Sequence, residues 1–101
     1  KEMSSLVNRY YFMWSKSTCP YCVKATELLA QNQVNHTVYT MDERGDELDK
    51  VKGHFDWKTV PIITSQRSDG PMEFIGGCDD LRKHLEEIND RVQTHSDEEV
   101  R

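Results

Sequence analysis

No stretch of this chain approaches the roughly 20 consecutive apolar residues that a membrane helix requires, which excludes a helical membrane span and makes no membrane partner the expectation. Basic residues are the minority, 13 Lys and Arg against 18 Asp and Glu, for a formal net charge of −5. A surface of that sign argues against nucleic acid as a general partner, because phosphate binding needs a basic face, although basic side chains can still gather around a small anion. Cysteine is scarce and odd in number, at three. A small secreted disulfide framework would show an even set, so a reducing, cytoplasmic compartment is expected. Lys1-Glu2-Met3-Ser4-Ser5 has no signal-peptide pattern, and residue 1, being Lys and not Met, leaves room for an upstream or removed targeting segment. There is no internal repeat, no low-complexity block and no interior linker. With 101 residues, 36% hydrophobic and 31% charged, one soluble globular domain over 1–101 is expected. Its core spans about 9–92. Residues 93–101, with Asp97-Glu98-Glu99 and no large aromatic, have too little apolar surface to repay ordering and are expected to form a flexible tail.

What the chain does have is Lys16-Ser17-Thr18-Cys19-Pro20-Tyr21-Cys22, two thiols one helical turn apart directly after an apolar run. Tyr10-Tyr11-Phe12-Met13-Trp14 is suited to a buried central strand, and Val23 to Gln31 has helical character. The thiols therefore sit at a strand-to-helix junction. Pro20 fits the first turn of that helix, where a missing N–H costs nothing, which puts Cys19 at or near the N-cap and Cys22 about one turn inside. Unpaired amides, the positive helix end and the Lys16 ammonium all favour thiolate over thiol at Cys19. Cys19 is the candidate nucleophile and Cys22 the resolving thiol.

The remaining elements alternate. Cys22, Ala25, Leu28 and Leu29 form the apolar face of the first helix, which ends within Asn32 to Asn35. His36-Thr37-Val38-Tyr39-Thr40 is a short β-branched and aromatic strand, so residues 10–40 predict a right-handed parallel βαβ unit. Leu48, Val51 and Phe55 predict a second helix over 44–55, short or irregular because Gly45 and Gly53 punctuate it. Thr59-Val60-Pro61-Ile62-Ile63-Thr64 and Met72-Glu73-Phe74-Ile75 predict an antiparallel hairpin, with Ser65 to Pro71 as an extended tip carrying Asp-Gly-Pro turn chemistry. Gly76-Gly77 breaks the second strand. Cys78, Leu81, Leu85, Ile88 and Val92 then fall at helical spacing, with Asp79 and Asp80 in the favourable first turn.

Cys19-Pro20-Tyr21-Cys22, Thr59-Val60-Pro61 and Gly76-Gly77-Cys78-Asp79-Asp80, in this order in a chain of this size, resemble a dithiol glutaredoxin over about residues 9–90. The resemblance implies an α/β thioredoxin-like fold with a four-stranded mixed sheet flanked by helices in the order β-α-β-α-β-β-α. It implies a monomeric enzyme that reduces protein disulfides and glutathione mixed disulfides, with glutathione as co-substrate and no metal. Disulfide-containing or glutathionylated proteins would be its partners, ribonucleotide reductase being one dedicated type. Carried over by position, Cys19 takes the glutathionyl group and Cys22 resolves protein disulfides. Lys16 and Tyr21 line the groove, Thr59 and Val60 beside Pro61 pair with the tripeptide backbone, and Gly77, Cys78 and Asp79 hold the γ-glutamyl end. A cis Val60–Pro61 bond is also implied.

Physical chemistry agrees with that placement. Val60 precedes a proline and cannot continue a regular ladder, which leaves its N–H and C=O free for an added strand. Amides opening the helix at Cys78 to Asp80 can receive a carboxylate, while the Asp79 side chain can receive an ammonium. His54-Phe55-Asp56-Trp57-Lys58 departs from the family pattern, and Lys58 is the nearest stand-in for a grip on the glycine end. The blander alternatives carry less. A zinc site through Cys19 and Cys22, completed by Cys78 or one of His36, His54, His84 and His95, lacks a second Cys-x-x-Cys or a close His pair. Cys78 reads as a small residue packed at a helix start, and Asp80 equally as a cap. A cluster held between two chains through Cys19 and glutathione is disfavoured by Pro20 and Cys22.

Overall fold

The computed structural model describes residues 9–68 and 70–88. In chain order the elements are β1 (Arg9–Ser15), α1 (Pro20–Gln31), β2 (Asn35–Thr40), α2 (Gly45–Phe55), β3 (Ile62–Arg67) and β4 (Met72–Gly76). A last helix, α3, runs from residue 78 through residue 88. The strands form one sheet in the order β2-β1-β3-β4. β1 pairs with β2 in parallel and with β3 antiparallel, and β3 pairs antiparallel with β4. The βαβ unit and the hairpin expected from the sequence are both present, and β1 is central.

Alternation along β1 divides the core in two, because successive side chains leave a strand on opposite faces. Tyr11 and Met13 are fully buried with Ile63 against Ala25 and Leu29 of α1 and Leu81 and Leu85 of α3. On the other face Trp14 packs with Ile62, Met41 and Leu48, and with Val51 and Phe55 of α2. That second face is less well covered: Phe12 and Trp14 are half-buried and Tyr10 is exposed, so the aromatic run is buried on one side only. The Tyr11 hydroxyl meets His84 Nε2 at 2.8 Å, and burial pushes its pKa up to about 12.

Three expectations need correction. α2 is an uninterrupted helix of 11 residues, neither short nor irregular, because Gly45 opens it and Gly53 falls in its last turn, where a glycine weakens a helix least. β3 begins at Ile62, not at Thr59, since Pro61 has no N–H to give the ladder. It then runs to Arg67, pairing Ser65 with Glu73 and Gln66 with Met72, so Ser65 to Arg67 belong to the strand and the tip spans only 68–71. Val92 and the 93–101 tail lie outside the described residues.

Candidate active site

The loop out of β1 is held before it reaches the thiols. Ser15 O accepts from Met41 N–H at 2.8 Å, and Asp42 grips Ser17 twice, through the backbone N–H at 3.0 Å and the hydroxyl at 2.5 Å. Those two hydrogen bonds, the side-chain one first, hold the exposed Asp42 carboxyl below its ordinary range. A turn then closes from Cys19 N–H to Lys16 O at 3.2 Å. Cys19 is the N-cap of α1, Pro20 occupies the first helical position, and the Cys22 amide donates to Cys19 Sγ at 3.3 Å. This is the N-cap contact in which the cap side chain satisfies an orphan amide, here with sulfur in place of oxygen. Both thiols are free, Cys19 half-buried and Cys22 only 3% exposed. Burial, with the neighbouring Cys19 thiol adding to it, pushes the Cys22 pKa up to about 12. The two sulfurs thus occupy different environments: an outer one facing helix amides and an inner one kept neutral.

The site's opposite wall comes from two backbone segments. Val60–Pro61 is cis, and the Val60 carbonyl lies 3.6 Å from Cys19 Sγ, accepting from the thiol. The Val60 carbonyl therefore has a partner in the reduced site and is not entirely free. At the end of β4 the chain turns through Gly76, whose φ of +122° favours glycine. Gly77 is then the N-cap of α3, its carbonyl accepting from Leu81 N–H at 2.9 Å and its own N–H donating to Asp80 Oδ2 at 3.0 Å. Asp80 is therefore a cap. Cys78 is half-buried, and burial first, then the Asp79 charge, raise its pKa, against the opposing effect of Lys24 and Arg82.

Tyr21, Thr59, Val60, Pro61, Gly77, Cys78 and Asp79 line one groove of about 330 Å³. Seven of the predicted binding residues are thereby brought together. Lys16, exposed on the turn before α1, lies outside that lining, as does the exposed Lys58. Trp57 and Asp80 complete the groove. Trp57 was not legible as a site residue, the only hint being a lone large aromatic two residues before Thr59. Asp42 was missed as well, since nothing short-range links it to Ser17, 25 residues away. A second cavity, about 380 Å³ between α1 and α3, touches the groove at Cys78 and Asp79 but is lined mainly by Lys24, Leu28, Gln31 and Arg82. It is the larger of the two and lies away from the sulfur pair.

The family model for glutaredoxin matches residues 11–67, more than half of the chain. The chain belongs to the glutaredoxin family. It is 36% identical over 72 residues to glutaredoxin-1 of Rhizophagus irregularis, covering 68% of this chain and 66% of that one. To glutaredoxin 3 of Escherichia coli it is 32% identical over 69 residues, 68% of this chain and 77% of the relative. Against the chloroplastic glutaredoxin-C4 of rice the aligned part spans only half of the relative's length. Among solved structures, the dithiolic glutaredoxin 2-C-Grx1 of Trypanosoma brucei brucei shares 31% identity at a TM-score of 0.62, over 86% of this chain and 88% of that one. Buckwheat glutaredoxin, solved as a glutathione complex, superposes with a TM-score of 0.63 over 86% of this chain and 82% of that one, and at 24% identity shares the fold. The mixed four-stranded sheet with its helices is the thioredoxin-like arrangement of these glutaredoxins.

Proposed function

We propose that this chain is a thiol–disulfide oxidoreductase that uses glutathione to reduce glutathione mixed disulfides and protein disulfides. The observation that carries this is the Cys19 sulfur, which accepts from the Cys22 amide and lies 3.6 Å from the carbonyl of Val60, itself a lining residue of the groove. In the first reaction the Cys19 thiolate attacks the glutathionyl sulfur of a mixed disulfide, forming Cys19–S–S–glutathione and releasing the protein thiolate. A second glutathione thiolate then attacks that glutathionyl sulfur, releasing glutathione disulfide and regenerating Cys19. The incoming glutathione is oxidised as it joins the glutathionyl group in glutathione disulfide, and one protein thiol is restored. With an intramolecular protein disulfide, Cys19 takes one sulfur and the other leaves as thiolate. Cys22, once deprotonated, attacks Cys19 Sγ at high effective concentration, breaks the bond to the substrate so that its second sulfur leaves as thiolate, and forms a Cys19–Cys22 disulfide for two glutathiones to reduce.

The groove suits the tripeptide. Its backbone would pair with Val60 as an added strand, and its α-amino acid end would meet the α3 amides and the Asp79 carboxylate. Lys16 has a different role from the wall residues: on an exposed turn, it would steer the glycine carboxylate by charge. The test is reduction of a small glutathione mixed disulfide by purified protein with glutathione present or omitted. Turnover that requires glutathione is expected, and turnover supported equally by an unrelated monothiol at the same concentration would overturn the glutathione assignment.

A further inference from the structure

Trp57 lines the groove although neither thiol exchange nor backbone pairing requires an indole there. We propose that Trp57 is a positioning residue for glutathione: its ring sets the spacing between the Val60–Pro61 segment and the head of α3, and so sets the groove's affinity without acting on Cys19. This rests on the glutathione function proposed above and deepens it.

The backbone delivers Trp57 to a fixed place. α2 ends at Asp56, which takes the left-handed conformation with φ 52°, and the amides of Asp56 and Trp57 return to Gly53 O at 3.3 Å and Lys52 O at 2.9 Å. That pair of bonds is a Schellman ending, which closes the helix and aims the next residue. The ring is then held from behind. Trp57 meets Phe74 edge-to-face at 5.4 Å, and Phe74 stacks on Phe55 at 4.9 Å, so one line of rings runs from α2 through β4 to the groove. On its far side, a Cβ built on Gly77 would stand 3.7 Å from Trp57 Cζ2 and 3.8 Å from Pro61 O. Indole, proline carbonyl and the α3 N-cap therefore converge on a space that a single added methyl group would fill, which puts the ring beside both ligand-facing segments.

The indole nitrogen separates this role from hydrogen bonding. Trp57 Nε1 is buried and has no hydrogen-bond partner among the described residues. A buried unpaired donor is destabilising, and one shielded from solvent offers nothing to a ligand. Ring volume is what the site uses. Without it, the head of α3 and the Val60 edge lose their common support, and a ligand that must reach both cannot keep both contacts; misplacement of that kind weakens function by about 10- to 100-fold.

Steady-state kinetics on a glutathionylated peptide would be measured for the wild type, Trp57→Ala, Trp57→Leu and Trp57→Phe, together with the rate of Cys19 alkylation by iodoacetamide. Trp57→Ala should raise KM about 10- to 100-fold with kcat little changed, the signature of lost uniform binding. Trp57→Phe should recover most of that loss, Trp57→Leu should fall between, and alkylation should not move in any of them. If Trp57→Ala fails to fold, the ordering of Leu above Phe in KM carries the test. A KM indifferent to Ala and Leu, a Phe variant as poor as the smaller ones, or alkylation that slows with KM would each overturn the positioning role. A wild type without glutathione-dependent turnover would instead sink the function on which it rests.

Discussion

Two helix starts face each other across the groove, and they solve the same problem in opposite ways. In α1 the N-cap Cys19 offers its side chain to the amide of the third helical residue, Cys22, at 3.3 Å. In α3 the third residue, Asp80, offers its side chain back to the amide of the N-cap, Gly77, at 3.0 Å. These are the two halves of a capping box, divided between two helices. The first turn of α1 holds no acidic residue, so no side chain of that turn answers the positive helix end beside Cys19, the proposed nucleophile. At the head of α3 the Asp80 side chain takes up the Gly77 amide, and on the function proposed above the next amides would be left for the ligand. On the function proposed above, one backbone device would serve reactivity where a sulfur stands at the N-cap and binding where a carboxylate reaches back from the third position.

The largest expected effect tests the reactive half. Serine is itself a good N-cap, so Cys19→Ser should keep α1 and its fold while abolishing reduction of both kinds of disulfide. Cys22→Ser should retain, or raise, turnover on small glutathione mixed disulfides, because the competing Cys19–Cys22 disulfide cannot form, while reduction of an intramolecular protein disulfide falls steeply. Assays of each variant on both substrates decide it. Survival of glutathione mixed-disulfide turnover in Cys19→Ser, with loss in Cys22→Ser, would make the inner thiol the nucleophile and break the comparison.

The second effect is on stability and belongs to α3. Gly76 has φ +122°, and a Cβ there would lie 2.5 Å from Asp80 Oδ2. Gly76→Ala should cost about 1–3 kcal/mol in backbone strain, with displacement of the Asp80 cap adding about 1 kcal/mol. Urea unfolding of the variant should show this loss, and an unchanged midpoint would mean that the turn relaxes and the cap is dispensable.

Next, adjacent acids on α3 should separate. Asp80→Ala removes the cap and should lower stability by about 0.5–2 kcal/mol. Asp79→Ala, at an exposed position, should leave stability nearly unchanged but weaken glutathione use by about 10- to 150-fold, the equivalent of a charge-assisted contact of about 1.5–3 kcal/mol. Paired melting and kinetic measurements would show the two effects crossing. If both variants lost only stability, the head of α3 would be structural and its contrast with α1 would lose its functional half.

Local signals made most of this site readable. Cys19, Pro20 and Cys22 encode their own geometry, because a proline at the first helical position and a capping side chain act within one turn. Cys78 to Asp80 do the same for α3, and the continuous apolar run from Tyr10 to Trp14 located the central strand, though not the alternation that buries Tyr11 and Met13 more fully than Phe12 and Trp14. What was not legible depends on distant partners. Asp42 acts through Ser17 on another loop, and Trp57 reaches the groove only because Asp56 tolerates a left-handed turn and Phe74 lies behind it. The start of β3 was misplaced for a related reason: Thr59 and Val60 have strand-forming side chains, yet Pro61 withholds the N–H that pairing needs. Glycine composition misled for α2, where position within the helix outweighed number.

The last effect lies in the pH dependence of the third residue of α1, Cys22, and is absent at neutral pH. Burial pushes the Cys22 pKa up to about 12 and keeps that thiol protonated in the folded chain. In the unfolded chain the thiol ionises near about 8.5. A raised folded pKa contributes stability that is fully present below the unfolded value and is lost as pH rises through the folded one, so Cys22 should make the protein progressively less stable from about pH 8.5 upward. One such group changes the unfolding free energy by at most about 1.4 kcal/mol per pH unit. Tyr11, raised to about 12 by burial, adds a slope of the same sign beginning near its ordinary value of 10.0, and Cys78 is raised in the same direction. Urea midpoints taken between pH 7.5 and 10 under reducing conditions should therefore fall in the wild type and fall less in Cys22→Ser, without becoming flat. A slope identical in the two proteins would mean that Cys22 is no better shielded than an unfolded thiol, and the inner position of α1 would then be as open to charge as the outer one.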